Sequence, residues 1–197
     1  MKKIFWFTVT ICLLTACSNP TPQVSAERAI VERIAIKAGV DEVWRAWTTT
    51  EGVTSFFAPA ANIDLRPGGA YEVFMLPNAS VGERGADGMV LLAVQDKKMI
   101  SFTWNAPPSL PQARQQRTVV IVRFLPRGEL LTEVTLTHLG WGDVNENDKA
   151  DEWGKAYDYF ARAWPNVLKN LQKRFESGPV DWKPWLESLQ KAATTTK

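Results

Sequence analysis

Eight apolar residues, Trp153, Tyr157, Phe160, Trp164, Val167, Leu168, Leu171 and Phe175, recur at steps of three and four along one segment. That spacing predicts one long helix with a broad aromatic stripe. Such a stripe must be buried, so the rest of the chain has to supply an apolar face to receive it. The flanks agree with a helix: Asp148, Asp151 and Glu152 lie at its start and Lys169, Lys173 and Arg174 near its end, complementing the helix dipole. Gly178 and Pro179 are the expected stop. Pro165 falls inside the pattern and cannot donate to the carbonyl of Ala161, so it is expected to kink or divide the helix.

Ahead of the stripe the period is two. "RAIVERIAI", "ANIDL", "AYEVFML", "GMVLLAVQ", "MISFTW", "RTVVIVRF" and "LLTEVTLTHL" read as strands. "RPGG", "GERGADG", "QDKK" and "PRGE" between them read as short turns, which exclude helical crossovers and give an antiparallel meander. A short helix over "DEVWRAWTT" is expected to interrupt the series, with Asp41 as its N-cap and Gly52 at its end. "DWKPWLESLQ" reads as a second short helix, docked through Trp182, Trp185, Leu186 and Leu189, before a loose tail from Thr194. In the last strand Leu130, Thr132, Val134, Leu136 and His138 share one face. By the same parity Val120, Val122 and Phe124, and Ile100, Phe102 and Trp104, are their neighbours. His138, the chain's one histidine, is therefore expected among apolar residues as a buried imidazole with one satisfied hydrogen bond, a general base in a cavity being the alternative.

The N-terminus reads as an address. "MKK" precedes the apolar run "IFWFTVTICLL", too short to span a bilayer, as in a secretory signal. "LLTAC" then resembles the bacterial lipobox, which implies cleavage ahead of Cys17 and a diacylglyceryl group on its sulfur. Ser18 in place of aspartate resembles lipoproteins sorted to the outer membrane. The chain accordingly divides into a signal peptide at 1–16, lipidated Cys17 with a tether at 17–27, a domain at 28–178 and an extension at 179–197. Cys12 leaves with the signal and Cys17 is consumed by lipid, so no intrachain disulfide is expected. The expected location is the bacterial cell envelope, on the outer membrane facing the periplasm, held through acyl chains on Cys17.

Charge and motifs narrow the chemistry. There are 23 basic and 21 acidic residues, and loss of Lys2 and Lys3 with the signal leaves the two balanced. That disfavours nucleic acid as a partner. One histidine and no free thiol leave structural zinc without ligands. "DVNENDKADEWG" imitates a calcium loop through Asp143, Asn145 and Asn147, but places Asp148 where glycine and Gly154 where a bidentate glutamate is needed. "GERGADG" lacks phosphate-cradling spacing, and there is no nucleophile elbow. No cofactor or metal is expected. Asp64, if buried, is the other candidate general base.

The order of these pieces, one strand, a short helix, an antiparallel meander and a long C-terminal helix, resembles the SRPBCC or START-like superfamily. Within it the chain is similar to homologues of the heat-shock-protein-90 ATPase activator C-terminal domain. The carriers are "VWRAWTTTEGVTSFFAP", "DLRPGGAYEVFM", "ISFTW", "TVVIVRFLP", "LTHLGW" and "WPNVLKNLQKRFESG". The resemblance implies an α+β helix-grip fold, with a curved antiparallel sheet of about six to seven strands wrapped on the C-terminal helix. It also implies an elongated apolar cavity between them for a small hydrophobic ligand. Trp104, Val122 and His138 on the sheet, with Trp153, Tyr157, Phe160 and Trp164 on the helix, are the candidate lining. The expected function is ligand binding by a membrane-tethered domain. The alternatives are a cyclase-like or hydrolase-like enzyme on a hydrophobic substrate and a co-chaperone-like interaction module. The segment after Pro179 and Pro165 itself depart from the family pattern.

Overall fold

The structure is a computed structural model that describes residues 27–143 and 151–195, with side chains to residue 191. The signal at 1–16, Cys17, nearly all of the tether, Asn145, Asn147 and Asp148 lie outside the described residues. All seven strand segments form: β1 (Ile30–Ile36), β2 (Ala60–Ile63), β3 (Tyr71–Phe74), β4 (Leu91–Gln95), β5 (Met99–Trp104), β6 (Thr118–Gly128) and β7 (Leu131–Leu139). Five make one antiparallel sheet in the order β1-β7-β6-β5-β4, while β2 and β3 pair separately. The two parts are stitched by an isolated bridge between Ala70 and Val90 and by the Tyr71 amide, which donates to the Met89 carbonyl at 2.8 Å.

The helices are α1 (Val40–Thr48), α2 (Thr50–Thr54), α3 (Pro111–Arg114), α4 (Trp153–Ser177) and α5 (Lys183–Thr195). Two boundary expectations are corrected. Gly39, not Asp41, is the N-cap of α1; Asp41 lies in the first turn, where its charge still suits the dipole. Gly52 does not end α1 but sits inside α2, a separate helix capped by the Thr49 hydroxyl. A Cβ at Gly52 would stand 2.1 Å from the Arg45 carbonyl oxygen, so glycine is there for close packing of α2 on α1. Pro165 does not divide α4, which runs unbroken for 25 residues and ends at Gly178 with φ 98°.

The parity argument for β7 holds from Thr132 onward, while Leu130, expected on the same face, lies in the turn before the strand and is exposed. Thr132, Val134, Leu136 and His138 are all fully buried, opposite Val120, Val122 and Phe124 on β6. Ile100, Phe102 and Trp104 on β5 continue that face, and α4 covers it with Ala156, Phe160, Trp164, Leu168 and Leu171. α1 covers the other end of the same face through Val43, Trp44 and Trp47, with Trp44 edge-on to Phe124 at 5.3 Å. Burying this much aromatic surface in one layer is the main stabilising contribution of the domain.

Candidate functional site

At the centre of the grip the space is filled. Trp164 lies 5.5 Å from Trp104 and 5.9 Å, stacked, from Phe160, while Phe160 meets His138 edge-on at 4.9 Å. Trp141 covers the imidazole from outside at 4.1 Å. His138 makes two hydrogen bonds rather than the one expected. The Trp164 indole N–H donates to Nδ1 at 2.9 Å, and Nε2 lies 2.7 Å from the Thr118 hydroxyl. Because an indole can only donate, Nδ1 must be the bare nitrogen and Nε2 must carry the proton. Nε2–H then donates to Thr118, whose hydroxyl in turn donates a hydrogen bond to the Trp104 carbonyl at 3.3 Å. Burial pushes the imidazole down to about 3, so this relay contains a neutral ring.

This geometry sorts the expected lining residues. Val122, His138 and Trp164 are enclosed in the filled centre. Trp153 belongs to a separate small cluster with Ala106, Ala113 and Ala156. Tyr157 is half-buried near the N-terminal end of β1, with its hydroxyl on the Ala29 carbonyl and the Arg28 guanidinium over its ring. Of the seven, Trp104 and Phe160 line an open pocket. His138, with both nitrogens engaged, does not. Asp64 is not buried: its side chain is 43% exposed and paired with Arg66 at 2.7 Å.

The open space is a pocket of about 430 Å³ at one end of the grip. Its back wall is Trp104 and Phe160, its sides are Met75, Leu76 and Ala86, and Trp185 and Leu189 of α5 stand over it. Three segments converge there: the β3–β4 connection, the loop after β5 and the first half of α4. Glycine is required at Gly85, where φ is 148° and a Cβ would meet the Val73 carbonyl oxygen at 2.5 Å. That close approach folds the connection back onto β3, with the Ala86 amide donating to Val73.

Arg114 then ties this connection to the loop after β5. Its guanidinium donates to the carbonyls of Ala106, Gly82 and Gly85, and the amide of Asn105 accepts from it at 3.1 Å. Burial lowers its pKa, yet a guanidinium starts so high that it stays charged. Asp87 lies 3.9 Å from Arg114 and accepts from Arg84 Nε at 2.6 Å and from the Gly85 amide at 3.1 Å. Burial alone would raise the Asp87 carboxyl; the Arg84 and backbone hydrogen bonds together with the Arg84 charge outweigh it and hold it below the usual range. α5 is fixed from above by indole donors: Trp182 to the Thr54 carbonyl at 2.6 Å and Trp185 to the Met75 carbonyl at 3.2 Å. Arg84, Asp87 and Arg114 carried no periodic signal in the sequence, and Met75 was legible only as part of the strand "AYEVFML". Trp185 was legible only as one side of a docking helix.

Among the described residues no group of three or more histidine, cysteine or carboxylate side chains is placed to hold a metal, and no helix is long and apolar enough to cross a membrane. The arrangement can enclose an apolar body beside two cationic side chains.

Comparison with known proteins supplies the lineage. Comparison with curated protein sequences yields no significant match. Solved structures agree on the fold. A Mesorhizobium loti protein superposes with a TM-score of 0.57 at 20% identity, over 78% of this chain and 100% of its own. The Aha1 dimer from Colwellia psychrerythraea gives 0.56 at 18%, over 77% and 98%. An Hsp90 activator from Plasmodium falciparum gives 0.53 at 16%, over 77% and 97%. The family model for activator of Hsp90 ATPase homolog 1-like proteins matches residues 37–176, from the end of β1 to the last turn of α4. The chain belongs to the activator of Hsp90 ATPase homolog 1-like family, with α5 lying beyond the matched domain.

Proposed function

We propose that this protein is an exported, lipid-anchored binding protein that holds a small hydrophobic molecule in the pocket under α5. The observation that carries the reading is the pocket itself: about 430 Å³, walled by Trp104 and Phe160 and roofed by Trp185. That volume falls in the range of small-molecule sites, roughly 300–1,000 Å³. The anchor rests on "LLTAC" and the short apolar run before it. A tethered domain keeps such a pocket close to a membrane surface, where apolar molecules concentrate.

Titration with the neutral fluorescent probe N-phenyl-1-naphthylamine tests the binding. Saturable one-site binding is expected, and Ser109→Trp, at an exposed lining position, should abolish it by filling the pocket. No saturation, or binding indifferent to Ser109→Trp, rejects the pocket. Detergent-phase partitioning of Cys17→Ala tests the anchor separately, since a variant that stays wholly in the detergent phase is not held by lipid on that residue.

An interaction module is the second reading, favoured by the likeness to an Hsp90 activator. Its test is crosslinking in the envelope, where one stoichiometric partner captured through Trp182 to Leu189 would place a protein, not a small molecule, on the same surface.

A further inference from the structure

Two guanidinium groups stand on the wall of this largely apolar pocket, and Asp87, a buried carboxylate behind the lining, answers them. The side chains of Arg84, Arg114 and Asp87 are 25%, 14% and 8% exposed. Glu83, the carboxylate in the lining of the pocket, is exposed, so water weakens its pull on Arg114. Arg84 and Arg114 thus share one buried carboxylate, Asp87, while Glu83 acts on Arg114 from the exposed rim. The two arginines differ in what remains free. Arg114 is consumed by backbone carbonyls and Asn105. Arg84 gives Nε to Asp87 and rests its face 4.1 Å from the centre of the Phe74 ring. Its two terminal nitrogens have no partner among the described residues. Asp87 and Phe74 thus fix the plane of a guanidinium whose outer edge is left unused.

A neutral apolar guest would strip water from that edge and return nothing. A carboxylate would return a charge-assisted fork. Resting on the reading of this pocket as a ligand site, we infer that its ligand is a free amphiphilic monoacid, the chain against Trp104, Phe160 and Trp185 and the carboxylate on the terminal nitrogens of Arg84. Arg114 is a positioning residue that holds the loop carrying Arg84.

The test is calorimetric titration of the full chain carrying Cys17→Ala, which keeps detergent out, with decanoate and with decanol above the pKa of the acid. Decanoate should bind about tenfold tighter than decanol. Arg84→Gln should bring the ratio of decanoate to decanol affinity to about one. If Arg84→Gln does not fold, Arg84→Lys decides: it keeps Asp87 paired but offers no fork, and should cut the preference roughly threefold or more. Equal binding of both compounds to the parent, or a preference that survives these substitutions, overturns the acid while sparing the pocket. Failure of both compounds to bind rejects the pocket and the acid together. Arg84-dependent sedimentation with phosphatidylglycerol vesicles, without a decanoate preference, reassigns Arg84 to a lipid headgroup and overturns the free acid.

Discussion

Acid is expected to weaken this fold through His138, and the size of the effect follows from its surroundings. Burial holds the imidazole at about 3, against about 6.5 in an unfolded chain. Between those values the unfolded chain binds the proton and the folded one does not. The stability linked to this group is therefore complete above about pH 6.5 and is lost as the pH falls toward 3. Each pH unit removes about 1.4 kcal/mol, so the whole window amounts to about 5 kcal/mol.

His138→Leu isolates this contribution. The variant has nothing to titrate, but it leaves the Trp164 indole N–H buried without its acceptor at Nδ1. That costs about 2 kcal/mol at neutral pH. The parent loses the same amount about 1.5 pH units below its unfolded pKa, so the two stabilities cross near pH 5. Urea unfolding followed by tryptophan fluorescence, at steps from about pH 7.5 to about pH 4, measures both curves. Protonation of surface carboxylates moves both proteins alike and drops out of the difference. A gap that stays constant across the range refutes the neutral buried imidazole, and one that widens with acid reverses the sign of the argument.

Other substitutions test the packing that frames the pocket. Gly52→Ala should lower stability by about 3 kcal/mol in thermal unfolding, because the new methyl meets backbone of α1 that cannot withdraw. Arg114→Met should cost about 2–3 kcal/mol by orphaning loop carbonyls, and hydrogen exchange should speed up across 82–88 while α4 stays protected. Trp185→Ala, at a residue 45% exposed, should cost under about 1 kcal/mol globally yet raise proteolytic cleavage between α4 and α5.

Periodicity reached the fold because the fold is a matter of faces. The alternation in β7 assigned His138 to the interior, and the three-four spacing of Phe160, Trp164, Leu168 and Leu171 found the buried side of α4. What periodicity could not carry were contacts made by backbone. Gly52 looks like a helix stop from its type alone, and only the approach of two helices shows why no side chain fits there. Arg114 lies in a segment without apolar rhythm, and its role is to donate to carbonyls, which every residue possesses. The position of the pocket was hidden for a related reason: a stripe of rings predicts burial, but whether rings meet one another or a void depends on distances between elements.

Those distances put the filled centre and the open end into one device. The relay runs from the Trp164 indole through His138 and Thr118 to the backbone carbonyl of Trp104. Its last member is also the back wall of the pocket, and Phe160, the other part of that wall, lies stacked on Trp164 at its first. Each polar atom in the relay has its partner only while the Trp164 indole and the imidazole keep their places, so displacing the Trp164 ring, on which Phe160 of the wall is stacked, would orphan a buried donor and a buried acceptor. The buried imidazole thus bears on the wall of the pocket at one remove, by holding the indole on which Phe160 stacks.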